Sequence, residues 1–155
     1  MSKTVDSFYI LYNNPFLLSS ILVEFYKNYN GNQKKDILLS YLILPITLYE
    51  KSKEGLQRVS KTRTIRTFVK EPQRIYGLAE RINEFKKLTN LSLQLAIDQQ
   101  FLIIDENLSV QVNNQYEPTV NINIKTYLTA SANLGKMLNG AELVSVYRQL
   151  GIKKL

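Results

Sequence analysis

Neither cysteine nor histidine occurs among the 155 residues. Without cysteine there is no disulfide scaffold and no thiolate metal site, and a reducing compartment is expected. Without histidine the commonest general base and the commonest transition-metal ligand are missing. A P-loop, a glycine-rich dinucleotide turn and metal-binding spacings are also absent. The longest apolar run, ILLSYLILPITLY at residues 37–49, is interrupted by Ser40, Pro45 and Thr47. It falls short of the roughly 20 residues that span a bilayer, and reads as a buried core helix. The opening stretch MSKTVDSFYILYNNP carries an apolar patch too brief for a signal-peptide core. These absences predict a cytoplasmic protein with no cofactor, no membrane partner and no catalytic activity of its own.

What is present is ordinary globular material. The chain is 45% hydrophobic and 21% charged, which suits one domain with a real core. No internal repeat or low-complexity linker divides it. Four parts are expected: an N-terminal helical part at 1–50, a basic segment at 51–70, a helix pair with a wing hairpin at 71–124, and a C-terminal helical pair at 125–155. Asn14 and Pro15 look like the cap and first turn of a helix whose apolar face holds Leu18, Ile21, Leu22 and Phe25, with Asn30-Gly31 as its stop. A second helix is expected from about Gln33, kinked or ended by Pro45. Ile65, Phe68 and Val69 suggest a short helix. Pro72 should open a third long helix with a stripe of Ile75, Leu78, Ala79, Ile82 and Phe85, and Asn90 should cap the next. Leu102 and Ile104 then face Val110 and Val112 across Asp105-Glu106-Asn107, as in a hairpin. A loop at 113–118 and an edge strand at 119–124 follow, and Gly140 and Gly151 sit where helix C-caps belong. The fold class is mainly α with a small β-hairpin, a winged-helix-like single domain.

Winged helices usually read DNA, but the charge pattern here argues otherwise. Of the formal net charge of +7, residues 51–70 carry +6, from Lys51, Lys53, Arg58, Lys61, Arg63, Arg66 and Lys70 against Glu54. Between Lys87 and Lys125 there is no lysine or arginine, while Asp98, Asp105, Glu106 and Glu117 occur. A helix entering the major groove needs cations for phosphates and usually arginine or lysine for guanine edges. This one offers Gln94, Gln99 and Gln100. Any nucleic-acid phosphate contacts are therefore expected at the seven cations of the basic segment, with the helix and wing left for protein contacts. Asp98, Asp105 and Glu106 read as a helix-surface acid and two turn acids rather than a cation site. Ten tyrosines occur; Tyr9, Tyr12, Tyr26, Tyr29, Tyr49 and Tyr147, with Met137, are candidates for a partner interface or for the edge of the core.

The order and spacing of several patterns resemble those of a known family. They are Asn14-Pro15-Phe16-Leu17-Leu18 closing on Phe25-Tyr26, then Leu44-Pro45-Ile46-Thr47-Leu48, Lys61-Thr62-Arg63-Thr64, LQLAIDQQFLIIDEN, Leu134-Gly135-Lys136, and Val144, Tyr147 and Leu150-Gly151-Ile152-Lys153. Together, over nearly the whole chain, these resemble the small middle components of bacterial three-component ABC ATPase conflict systems, the broad group that includes Lamassu-type defence. Met137 departs from the pattern, where a bulky aromatic is expected, and so does Lys154, where proline is common. The resemblance implies a helical fold with winged-helix character. It implies an adaptor subunit that works beside an SMC- or Rad50-like ABC ATPase and an effector, often a nuclease, in an anti-phage or anti-plasmid complex. DNA would be met through the complex. The competing expectation is a stand-alone winged-helix transcriptional regulator that binds DNA through residues 51–70.

Overall fold

The computed structural model describes residues 14–58, 63–113 and 124–154. Tyr9, Tyr12 and Lys61 lie outside them, as do nearly all of the loop and edge strand expected at 113–124.

Helix α1 (Pro15–Asn28) starts as expected: the Asn14 side chain accepts the Leu17 N–H at 3.4 Å, and Pro15 occupies the first turn. Leu18, Ile21, Leu22 and Phe25 are all fully buried, and Val23, Ser19 and Tyr26 on neighbouring faces are buried too. A helix covered so widely lies at the centre of the molecule, and α1 packs against both α6 (Lys125–Leu138) and α5 (Leu78–Asp98). Its approach to α6 depends on small residues. Ser131 donates to the Ile21 carbonyl at 2.7 Å, and a Cβ on Gly135 would lie 2.5 Å from the Phe25 carbonyl oxygen.

The second helix begins later than expected. Lys35 adopts φ 63°, a left-handed turn that delays the start to a 3-10 turn at Asp36–Leu39. Helix α2 (Ser40–Thr47) then contains Pro45 and runs two residues beyond it. Proline here removes only the bond to the Tyr41 carbonyl; the turn is closed by the Thr47 hydroxyl on the Ile43 carbonyl at 2.6 Å and by Leu48 N–H on Leu44 at 3.0 Å. Helix α3 (Glu50–Gln57) packs on α6, and the short α4 (Ile65–Phe68) falls where Ile65 and Phe68 required it, both buried. A capping box between Thr64 and Thr67 opens α4.

Three expectations for residues 71–98 are corrected. Pro72 opens only a 3-10 turn (Pro72–Arg74), and the long helix waits until Leu78, after Gly77 at φ 68°. Ala79, expected on the buried stripe, is exposed. Nor does Asn90 cap a new helix: α5 runs unbroken through it for 21 residues. The buried series Leu78, Ile82, Phe85, Thr89, Leu93 and Ala96 keeps one helical period across Asn90, so nothing in the packing asks for a turn. Asn90 instead accepts the Tyr41 hydroxyl at 2.6 Å on the helix surface. The expected helix pair is therefore one helix.

The hairpin forms in the expected register. Strands β1 (Leu102–Ile104) and β2 (Val110–Val112) are antiparallel, with Leu102 opposite Val112 and Ile104 opposite Val110. Asp105 closes the turn by accepting the N–H groups of Asn107 and Ser109 at 2.8 and 3.0 Å. Helix α7 (Leu143–Gln149) follows α6, and Gly140 and Gly151 take φ 73° and 75° just past the two helix ends. The fold is thus mainly helical with one two-stranded hairpin, its buried apolar side chains joined in one core. Among the described residues no helix is long and apolar enough to cross a membrane.

Candidate functional site

The basic segment does not behave as one surface, because helical periodicity divides it. On α3, Lys51 faces outward while Lys53, two residues on, turns inward and is only 8% exposed. Its ammonium sits 3.2 Å from Glu50 and 4.5 Å from the centre of the Tyr127 ring. Lys53 thus ties α3 to α6, with its ammonium turned away from solvent. Arg66 and Lys70 are exposed on and just after α4.

Three of the expected cations do converge. Lys51, Arg58 and Arg63 line a cleft of about 500 Å³ between α3, the start of the 63–68 segment and the 3-10 turn at 72–74. A fourth cation, Arg74, shares it. Two carboxylates, Glu54 and Glu71, stand among these four, so the cleft keeps a positive balance. Arg63 donates to the Gly55 carbonyl, which fixes it across the end of α3. Arg74 is held more tightly: it pairs with Glu71 at 3.1 Å, donates to the Phe68 carbonyl at 3.3 Å and lies over the Phe68 ring. The lack of a side chain on Gly55 is what admits it, since a Cβ there would lie 2.7 Å from Arg74 Nε. The Ser52 hydroxyl donates to the Arg74 carbonyl and joins the turn to α3. Lys51 and Arg58 make no ion pair among the described residues, and they are the cations open to an anion. Sequence alone overlooked Arg74 because it lies outside the dense run; its signal was Glu71 three residues earlier, flanking Pro72.

Of the tyrosines and Met137, read as a partner interface or as the edge of the core, those described are mostly interior. Tyr26 and Tyr29 are 4% and 5% exposed, and Met137 is 6%. The Tyr26 hydroxyl donates to the Asp36 carbonyl at 2.9 Å and meets Ser40 Oγ at 2.7 Å, and burial holds its proton well above the usual tyrosine range. Tyr29 stacks on Phe25 at 5.5 Å and receives a hydrogen bond from Gln33. Tyr49 is half-buried beneath the Arg81 guanidinium at 3.7 Å. Tyr147, half-buried, donates to the Leu38 carbonyl, and burial raises its pKa too. Long aromatic residues with one polar tip have here been used to satisfy loop carbonyls inside the fold.

On the helix and wing, Gln99 and Gln100 are exposed, and Asp98 accepts from Gln94 at 2.8 Å. Asp105 spends its carboxylate on the turn. These groups do not converge on a common point.

A family model described as ABC-three component (ABC-3C) system Middle Component 3 matches residues 2–154. No curated protein and no solved structure matches the chain.

Proposed function

Since the chain belongs to the Middle Component 3 family of ABC-three component systems, we propose that it is a non-catalytic adaptor, joining an SMC- or Rad50-like ABC ATPase to an effector of the nuclease type. The complex would act in the cytoplasm against phage or plasmid DNA, as Lamassu-type systems do. The family match over residues 2–154 carries this reading. Two observations support it. The sequence offers neither histidine nor cysteine for acid–base or nucleophilic work. Among the described residues, the fold spends Tyr26, Tyr41 and Tyr147 and buried polar groups such as Asp36, Ser109 and Ser131 on holding helices and hairpin together, which suits a rigid spacer between larger subunits.

The stand-alone regulator fits less well. The helix before the hairpin is continuous, and the helix–hairpin unit has no cation between Lys87 and Lys125. DNA contact by this subunit, in the proposed complex, passes through the cleft of Lys51, Arg58 and Arg63 and is indifferent to base sequence.

Co-expression with the ATPase and effector encoded beside it tests the proposal. A complex of all three that survives gel filtration is expected, as is no ATP hydrolysis and no DNA cleavage by this chain alone. A chain that elutes by itself in the presence of both partners, or that turns over either substrate alone, refutes it.

A further inference from the structure

Helix α7 ends in a way that builds a second surface, of a different kind from the basic cleft. Gly151 takes the left-handed conformation, its N–H bonds the Arg148 carbonyl at 3.0 Å, and the Ile152 N–H reaches back to the Tyr147 carbonyl at 3.0 Å. This paired closure turns the chain back along the helix it has just left. Ile152 thereby comes beside Tyr147, and together with Leu38 and Val144 they line a groove of about 540 Å³. The floor is fixed in advance, because the Tyr147 hydroxyl is bonded to the Leu38 carbonyl. Val144 is 56% exposed, one of the most exposed large apolar side chains among the described residues. The same turn sets Lys153 and Lys154 at the groove's edge, with Arg148 beside them, and no carboxylate of the described residues lines it.

We propose that this groove receives a short amphipathic segment of a partner subunit, apolar along one face and carrying carboxylates along its flanks. The inference deepens the adaptor reading and rests on it. Charge complementarity selects the occupant. An apolar floor rimmed by three cations, with no compensating acid among the described residues, matches apolar anchors one helical turn apart with Asp or Glu beside them. A second copy of this chain in a two-fold contact would set the three cations against their own equivalents. Nucleic acid would present phosphates to an apolar floor, where the cleft of Lys51, Arg58 and Arg63 offers it a better match.

The test replaces Val144 with the photocrosslinking residue p-benzoylphenylalanine in the full chain, co-expressed with the ABC ATPase and the effector encoded beside it. Mass spectrometry of the irradiated complex should place the crosslink in one of those two proteins, within a segment bearing apolar residues three or four apart and at least two carboxylates. A complex that assembles but gives no crosslink, or crosslinks to nucleic acid, to this chain itself or to a segment lacking acids, overturns the proposal. In parallel, V144E and the pair K153E and K154E should each weaken assembly roughly tenfold or more while leaving the melting temperature near that of the wild type, as Val144, Lys153 and Lys154 are exposed. Wild-type affinity in both variants sinks the groove alone and leaves the adaptor reading standing. Failure of the wild-type chain to assemble sinks both.

Discussion

Asp36 Oδ1 accepts the backbone N–H of Val110 at 2.8 Å, across 74 positions of sequence, and Asp36 is fully buried where it does so. The bond is the centre of a seam. Lys35 and Ile37 donate to the Asn107 and Leu108 carbonyls at 2.9 and 3.1 Å, and the Ser109 hydroxyl donates to the Gln33 carbonyl at 2.6 Å. The hairpin is therefore stitched to the entrance of α2. Asp36→Ala leaves the Val110 N–H buried and unpaired, and should cost about 1–3 kcal/mol. Urea titration measures the loss, and amide exchange should show it concentrated in residues 107–112. An unchanged midpoint would mean the seam holds without the carboxylate.

The same carboxyl makes stability depend on pH. Burial raises its pKa above the usual value; the N–H of Val110 pulls it back, and the charge of Asp105 adds to the rise. Among the described residues its second oxygen has no hydrogen-bond partner. A carboxyl whose folded pKa exceeds its unfolded one favours folding while protonated. Its contribution is complete below the unfolded value, near 4, and is lost as pH climbs through the raised folded value. Asp36→Asn keeps the acceptor on Oδ1 and cannot ionise. Stability of the wild type relative to Asp36→Asn should fall as pH rises from about 3.5 through the carboxylate range. A difference that is flat, or that rises with pH, contradicts this assignment.

How much of this is open to sequence depends on the distance over which each feature is decided. The α1 face, the α4 helix, the hairpin register and the two glycine C-caps rest on residues a few positions apart, and all appear where expected. Asn90 misleads because it has the chemistry of a cap, while the buried period that runs through it from Leu78 to Ala96 decides the outcome. Tyr26, Tyr29 and Tyr147 leave two readings open in the sequence for a related reason: their partners are carbonyls and side chains brought close by tertiary packing, beyond any local pattern. The cleft is half legible. Charge density finds Lys51, Arg58 and Arg63, but only the fold can remove Lys53 and add Arg74.

Gly135 sets the spacing of α1 and α6. A methyl group there meets the Phe25 carbonyl oxygen, a backbone atom that cannot swing aside. Gly135→Ala should destabilise by about 1–3 kcal/mol despite the better helix propensity of alanine. Ser131→Ala, one turn earlier, removes only its bond to Ile21 and should cost about 1 kcal/mol. Thermal melting of the two variants ranks them, and a Gly135→Ala protein as stable as wild type would show that the helices can separate without loss.

Tyr26→Phe separates the interior role of that residue from an interface role. The phenylalanine fills the same volume but abandons the Asp36 carbonyl and Ser40 Oγ. Stability should drop by about 1–2 kcal/mol, while affinity for the partner subunits, measured on the folded protein, stays unchanged. Weakened affinity at full stability would restore Tyr26 to the interface.

The basic cleft makes the sharpest claim about DNA, because the fold treats the cations of residues 51–63 in three ways. Lys51 and Arg58 are exposed and unpaired among the described residues, Arg63 is anchored at the cleft wall, and Lys53 is buried against Glu50 and Tyr127. If the assembled complex grips phosphates here, removing one cation from its phosphate should reduce the log–log salt slope of DNA binding by about 0.9. Replacing Lys51, Arg58 and Arg63 with alanine should then flatten it by roughly 2–3. Lys53→Ala should leave the slope untouched and lower the melting temperature instead, since it unties α3 from α6. Gln99→Ala and Gln100→Ala should change neither quantity, for both are exposed on an uncharged turn after α5. A salt series on the complex, with DNA of two unrelated sequences, distinguishes the cases. If the glutamine variants lose binding and the cleft variants keep it, the helix and hairpin read DNA after all, and the regulator displaces the adaptor.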